Sequence, residues 1–491
     1  MNHYDAIVIG SGAGGGVMAY RLSQMGLRVL VVERGRYEDP TSFEHNEMEM
    51  IPRIYKQGGL QTTADHDVAI MQGCTVGGST VINNAIWLRP NLDRVLPEWK
   101  AAGAELDRAA MEDAYDQLEE LLHVTPIAPF DPSSSTNEAS SGAKTFLDGA
   151  AALGMQGKML RHNRKDCIGC GWCNYGCRYN RKLSMLVTTI PWAEQLGATV
   201  LDSCQNVTIR WKRESDGKLR AEGIDFTRHG KQQTATADAV VACAGAIGSS
   251  ALLLGSGITA NGQVGRRFHA LGGVILTAQM PSIANNFDGI GLTSLLLHDD
   301  PEIVMETFFA PPGAFSITLP GWFATHIERM ERYRYFAQAG VMVATPPNGS
   351  ITLDKKGNAV INLKFGKDQI GLMKKGMRML SDLYFAAGAV AVFPGTFRHI
   401  DLYHPNDFHR LDQLVQAPDD LILGSAHPQG GSTISRDPAT GVVGQQFRVH
   451  GFRNLFVADA SLFPTNIRAN CQATVMALSW MAASHVAQAS S

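Results

Sequence analysis

The sequence predicts an α/β fold: a nucleotide-binding domain assembled from separated segments, with a second, α+β domain inserted between them. Three observations predict it. A buried-strand pattern, a glycine turn, a helix and a second buried strand follow one another within the first 33 residues. Strand, turn and helix return near residue 239 and again in the last seventy residues. Between about 280 and 420 the pattern changes to alternating strands and one long helix.

Ala6 to Ile9 is a continuous apolar run, as a strand buried on both faces requires. Gly10-Ser-Gly-Ala-Gly-Gly-Gly follows, then helix formers from Val17 to Met25, ended by Gly26, then a strand from Arg28 to Glu33. The pattern Gly10-x-Gly12-x-x-Gly15 therefore follows a strand and opens a helix. Gly10 permits the tight turn, Gly12 lets backbone approach a pyrophosphate, and Gly15 allows close packing of helix on strand. Glu33, eighteen residues after Gly15, can accept adenosine ribose hydroxyls, which favours NAD or FAD over NADP. This is a Rossmann-like arrangement.

Further on, Ala101 to His123 reads as helix and the Ser-rich stretch Ser133 to Ser141 as an exposed loop. Thr199 to Thr227 reads as paired strands joined at Ser215-Asp-Gly217. Ala239 to Cys243 is a short buried strand before a leucine-rich helix. Strands at Ser350–Leu353 and Val360–Phe365 flank a turn at Lys356-Gly357, and a helix spans Lys367 to Ala387. The chain ends with a strand from Asn454 to Ala458 and an apolar helix from Thr474. The expected organisation is nucleotide binding over 1–98, 195–280 and 421–491, a helical Cys-rich insertion over 99–194, and a substrate-binding domain over 281–420.

Composition narrows the function. With 43 Lys+Arg against 46 Asp+Glu, the net charge is -3, which excludes the overall basic footprint of a nucleic-acid binder. Hydrophobic residues are 45%, enough for a large core. The strand beginning at Tyr4 leaves no room for a signal peptide, and no apolar run reaches the roughly 18 residues of a membrane span. Of eight cysteines, four fall within eleven residues, a distribution that suits a metal or redox site rather than a disulfide framework. The expectation is a cytoplasmic protein, either soluble or peripheral to a membrane.

Three more segments carry chemistry: Gly73-Cys-Thr-Val-Gly-Gly-Ser-Thr-Val-Ile-Asn83, Gly245-Ala-Ile-Gly-Ser-Ser through Ile258, and Asn454 through Asp459 to Thr465 with Asn470 and Thr474. With the first glycine turn, these four in order resemble the glucose-methanol-choline (GMC) flavoprotein oxidoreductases. There are departures: Leu96 replaces an expected polar residue, and Thr259 an expected glycine. The resemblance implies FAD, held by Gly10, Gly12, Gly15 and Glu33, with Gly77, Gly78, Ser79 and Asn83 close to the flavin and pyrophosphate. It also implies Asp459 and Ala460 at the diphosphate and ribityl chain, and Val207 facing the adenine. Ile82 stands where some relatives have a histidine bonded to the flavin, so a dissociable FAD is expected.

His427, in the glycine-rich Gly424-Ser-Ala-His-Pro-Gln-Gly-Gly431, is the expected base; a neutral imidazole suits removal of a hydroxyl proton. Asn470 matches the second active-site position of the family, where an amide can hold the substrate oxygen but cannot act as base. His399, His404 and His409 receive no role.

Cys167-x-x-Cys170-x-x-Cys173-x-x-x-Cys177 resembles the cluster-binding run of bacterial ferredoxins, with Arg178 where proline usually follows. An iron-sulfur cluster is the expectation taken forward. Tetrahedral zinc and a metal-free reduced loop are the alternatives, and Cys204, Cys243 or Cys471 are candidate replacement ligands. A flavin beside a one-electron centre suits a dehydrogenase that exports electrons to an acceptor protein or quinone. Phe308 to Phe323, largely apolar and interrupted by Pro311, Pro312 and Pro320, is the expected substrate wall and favours a hydrophobic or aromatic alcohol. A sugar dehydrogenase, a flavin-dependent lyase and a non-catalytic electron carrier are the competing readings.

Overall fold

The computed structural model describes residues 3–134, 137–298, 300 and 302–490. Ser135 and Thr136 of the Ser-rich stretch lie outside the described residues. The structure is a mixed α/β protein built on two large sheets.

The first sheet has a parallel centre. Thr199–Leu201, Val29–Val32, His3–Ile9, Lys231–Ala242 and Leu455–Val457 run side by side, with Ile9 in register between Val32 and Ala242. Val29 to Val32, Ala6 to Ile9 and Val240 to Ala242 are all buried, as their unbroken apolar character requires. Cys204–Arg213 and Leu219–Arg228 extend the sheet as an antiparallel hairpin whose tip carries Gly217 at φ 85°. The sheet thus joins strands from both ends and the middle of the chain.

The second sheet has Arg266–Gln279 at its centre. Phe336–Ala344 and then Ile303–Thr307 lie on one side of it; Leu423–Gln429 and Ala391–Pro394 pair along the other. Helix Lys367–Ala386 covers this sheet with Met373, Met377, Leu380 and Tyr384, all buried. Burying each such side chain contributes about 1.5–3 kcal/mol.

One expected helix is two. Residues 101–123 divide into the end of helix Leu92–Ala101 and helix Arg108–Leu121. Gly103 sits between them at φ 93°, where a Cβ would strike Ser435, and the Asp107 carboxylate caps the second helix by accepting from Ala109 and Ala110. Among the described residues no helix is long and apolar enough to cross a membrane.

Helices Ala13–Gln24 and Gln472–Ala489 clasp each other: Ser479 Oγ donates to the Gly14 carbonyl at 2.7 Å, and the Arg21 guanidinium lies 4.0 Å over the Trp480 ring. Gly14 has no space for a side chain, since a Cβ would stand 2.0 Å from the Ala458 carbonyl oxygen. Gly14→Ala is expected to lower stability by about 1–3 kcal/mol, read as a lower urea midpoint with unchanged slope. An unchanged midpoint would contradict the close contact.

Candidate active site

Two glycine turns meet at the carboxyl end of the first sheet. Gly10 turns at φ 100°, and helix Ala13–Gln24 starts at Gly12 with no side chain capping its N–H groups. Gly78, at φ 53°, faces Gly12 so closely that a Cβ on Gly78 would stand 2.8 Å from the Gly12 Cα. Ser11 Oγ fastens the two turns, donating to Glu33 at 2.7 Å and accepting from the Gly77 N–H at 3.0 Å. Glu33 also accepts from the N–H groups of Ser11 and Gly35, which fixes its carboxylate at the end of its strand. An uncapped helix start and bare backbone on two facing turns fit a dinucleotide diphosphate.

The other expected cofactor residues have protein partners. Ser79 Oγ accepts from the Gly73 N–H at 3.0 Å. Asn83 donates to Gln472 at 2.7 Å and accepts from the Ala85 N–H at 3.0 Å. The Asp459 carboxylate accepts from Gly245 N–H, Ser249 Oγ and Ser461 N–H, so it holds the start of the neighbouring helix, and its burial raises its pKa. Ala460 is buried beside it. Val207 lies in the outermost strand of the first sheet and packs partly against the core.

His427 stands on Leu423–Gln429, paired across the second sheet with Leu271. Its Nε2 lies 3.3 Å from Asn470 Nδ2. The same Asn470 nitrogen lies 3.4 Å from an oxygen of Glu306, on strand Ile303–Thr307. Arg468 holds the loop that carries Asn470, pairing with Glu98 at 2.5 Å and Glu302 at 2.8 Å, while Ile467 N–H donates to Gln429. Three buried atoms here meet no partner: His427 Nδ1, Asn470 Oδ1 and Glu306 Oε1. Buried polar atoms are rarely left unpaired, so three in one place mark a seat for a polar ligand. Burial lowers the His427 pKa to about 4, leaving it neutral at pH 7. Burial raises the Glu306 carboxyl to about 7. Sequence reasoning missed Glu306; its one signal was an acid inside the apolar run Ile303-Val-Met-Glu306. His404 and His409 are exposed, and His399 contacts Arg329 and Asp401.

The four clustered cysteines line one small cavity together with Asn84, Ala85, His162 and Lys182. Backbone N–H groups of Gly169 and Lys182 approach Cys167 and Cys177 sulfur at 3.5 and 3.4 Å. His162 is fully buried, and burial lowers its pKa to about 3. Burial raises the Cys167, Cys170 and Cys173 thiols, so the thiolates need a cation to form. Among the described residues, no group of three or more His, Cys, Asp or Glu could hold a metal ion as placed. Cys204 and Cys243 are buried, and they and Cys471 are not on this cavity wall.

A larger cavity of about 410 Å³ shares Cys170, Gly171 and Trp172 with the thiol cavity. Phe287, Phe309, Pro311, Pro312 and Tyr333 form its apolar side. Phe309 and Phe315 of the expected substrate wall are buried in an aromatic cluster with Phe336 and Phe393, whereas Trp322 and Phe323 are exposed.

The GMC oxidoreductase profile matches the chain in two blocks, its N-terminal part over residues 51–271 and its C-terminal part over residues 346–479. An NAD(P)-binding Rossmann-like domain profile matches residues 8–37. A GMC-type oxidoreductase of Mycobacterium tuberculosis is 28% identical over 483 residues, 96% of this chain and 74% of that protein. A long-chain-alcohol oxidase of Arabidopsis thaliana is 25% identical, covering 97% of this chain and 67% of its own. A formate oxidase of Aspergillus oryzae has the same fold, with a TM-score of 0.74 at 15% identity over 99% of this chain and 98% of its own.

A raised carboxyl pKa means that the fold binds this proton more tightly than the unfolded chain does. Stability from it is present below the ordinary value of 4.5 and is lost as pH rises toward about 7. The infrared band of a protonated carboxyl is expected to disappear with a midpoint near pH 7, and to be missing in Glu306→Gln. A carboxyl already ionised at pH 5 would contradict this.

Proposed function

The chain belongs to the GMC oxidoreductase family, and from that premise we propose that it oxidises an apolar alcohol to its carbonyl with FAD, His427 acting as the base. The observation that carries this reading is the meeting of His427, Asn470 and Glu306 around three unpartnered polar atoms. The backbone of Gly10 to Gly15 and Gly77 to Ser79 would hold the cofactor, which supplies a two-electron acceptor when bound.

His427 accepts the hydroxyl proton at Nε2, because its imidazole is neutral at pH 7. Asn470 orients the hydroxyl oxygen, with its amide held between His427 and Glu306. A desolvated imidazole is a weak base on its own. Glu306, once ionised, stabilises the imidazolium that forms, and its pKa of about 7 makes that charge available near neutrality. The preference for a hydrophobic alcohol over a sugar rests on the apolar segment 308–323, since none of His427, Asn470 and Glu306 lines the 410 Å³ cavity.

We read the thiol cavity as the seat of an iron-sulfur cluster on Cys167, Cys170, Cys173 and Cys177. The support is four soft donors facing one cavity with no carboxylate on its wall. A cluster there supplies a one-electron acceptor, which favours a dehydrogenase serving an acceptor protein or quinone. Eight unpaired cysteines suit a reducing compartment, so we place the enzyme in the cytoplasm or peripherally on a membrane.

His427→Ala is expected to keep FAD and fold and to lose about 10²–10⁴ in the rate of flavin reduction by an alcohol. A near-normal rate would move the base elsewhere. Acid precipitation is expected to leave the yellow colour in the supernatant, because Ile82 offers no atom for a covalent bond to the flavin; colour in the pellet would overturn that.

A further inference from the structure

Gly340 sits in the middle of strand Phe336–Ala344, which runs between Arg266–Gln279 and Ile303–Thr307 in the second sheet. It pairs directly with Glu306 on one side and with Ile275 on the other. Directly paired residues of neighbouring strands face the same way, so the absent side chain of Gly340 belongs to the face that carries the Glu306 carboxylate. His427 reaches that face too, since Asn470 Nδ2 lies 3.3 Å from its Nε2 and 3.4 Å from the Glu306 oxygen. The opposite face carries Ala339, Val341 and Val343, all fully buried, and helix Lys367–Ala386 covers it so closely that a Cβ on Gly376 would strike Val341.

A glycine weakens a strand, so one in the middle of a central strand calls for a reason. Two usual reasons fail here. The backbone of Gly340 is not left-handed. Nor does a neighbour press on it: a Cβ would meet a single atom within 4 Å, the Val274 carbonyl oxygen at 3.9 Å, which is an ordinary contact. Gly273, on the adjacent strand, is different, because a Cβ there would strike the Val341 carbonyl. Gly340 is also partly exposed, as are Ile275 and Met342 on the same face, whereas Ala339 and Val341 on either side of it in the chain are buried. Open room therefore stands over the sheet beside Glu306, and Ile275 and Met342 give it apolar sides.

We infer that Gly340 is the size-determining residue of the substrate seat. Its bare backbone makes room for a bulky apolar group, such as an aromatic ring, on the carbon that bears the hydroxyl held by His427 and Asn470. This rests on the alcohol-oxidation reading. Ile275 and Met342 would pack against that group, and any side chain at position 340 would fill its place from below.

The test compares full-length, FAD-loaded wild type with Gly340→Ala and Gly340→Val, and uses Gly371→Ala, an exposed helix glycine with open space around it, as control. Anaerobic flavin reduction is followed with a series of primary alcohols running from butanol through benzyl alcohol to naphthalenemethanol, and FAD content and circular dichroism are recorded for each protein. Gly340→Val is expected to lower the ratio of the benzyl alcohol rate to the butanol rate by about 10–200-fold, the range for a methylene-sized misfit in an apolar pocket. Gly340→Ala is expected to fall in between, and Gly371→Ala to keep the wild-type ratio. An unchanged ratio in both Gly340 variants would overturn the inference. Loss of FAD from folded Gly340→Val would overturn it as well, because the room would then belong to the cofactor. If Gly340→Val does not fold, Gly340→Ala decides: a lowered ratio supports the inference and a wild-type ratio overturns it. Wild-type flavin that no alcohol in the series reduces would overturn the alcohol reading itself, a distinct failure that takes the size determinant with it.

Discussion

Gly14 has no side chain, and the carbonyl of Ala458 occupies the place where one would begin. That contact locks the first helix of the chain onto the turn after its last strand, just ahead of the stretch that carries Asp459 and Asn470. Asp459, the next residue, spreads its carboxylate over the start of helix Gly245–Gly255 and over Ser461. The chain then passes through the loop held by Arg468 and Gln429 before reaching Asn470. Asn470 therefore arrives beside His427 and Glu306, which stand on a different sheet from the glycine turns. The Rossmann-like framework and the candidate site are joined by a short, tightly bonded stretch, residues 458–470.

Much of this was legible in the sequence, for specific reasons. Continuous apolar runs at 6–9, 29–32 and 239–242 mark strands buried on both faces, and the glycines at 10, 12 and 15 mark backbone approach. Lys356 and Gly357 announce their hairpin. The break at Gly103 was hidden, because a glycine within a helical periodicity reads as a weak helix residue until Ser435 is known to sit against it. Within the candidate site, His427 and Asn470 were visible only through their family resemblance, since a lone histidine or asparagine has no periodicity to reveal it. Glu306 and Lys182 were invisible. Both are ordinary charged residues whose meaning lies in burial, a tertiary property that local sequence does not encode.

The interior charges have a common logic. His427 is kept neutral by desolvation, Glu306 is kept near its midpoint by the same cause, and Lys182 keeps its charge through three carbonyls. Each is held away from water by packed strands or loops, so each is sensitive to a charge appearing next to it. Such groups are poor contributors to stability and good reporters of a reaction that moves protons and electrons. The glycine-turn segment and the thiol cavity are also physically continuous, since Asn84 and Ala85 line the cavity one step beyond Asn83.

The most direct measurement is an anaerobic absorbance spectrum of the purified protein before and after addition of a series of primary alcohols of increasing apolar size. The account predicts a flavin spectrum that bleaches on addition of an apolar alcohol, at a rate that rises with the apolar character of the alcohol. A flavin spectrum unchanged by every alcohol in the series would contradict it.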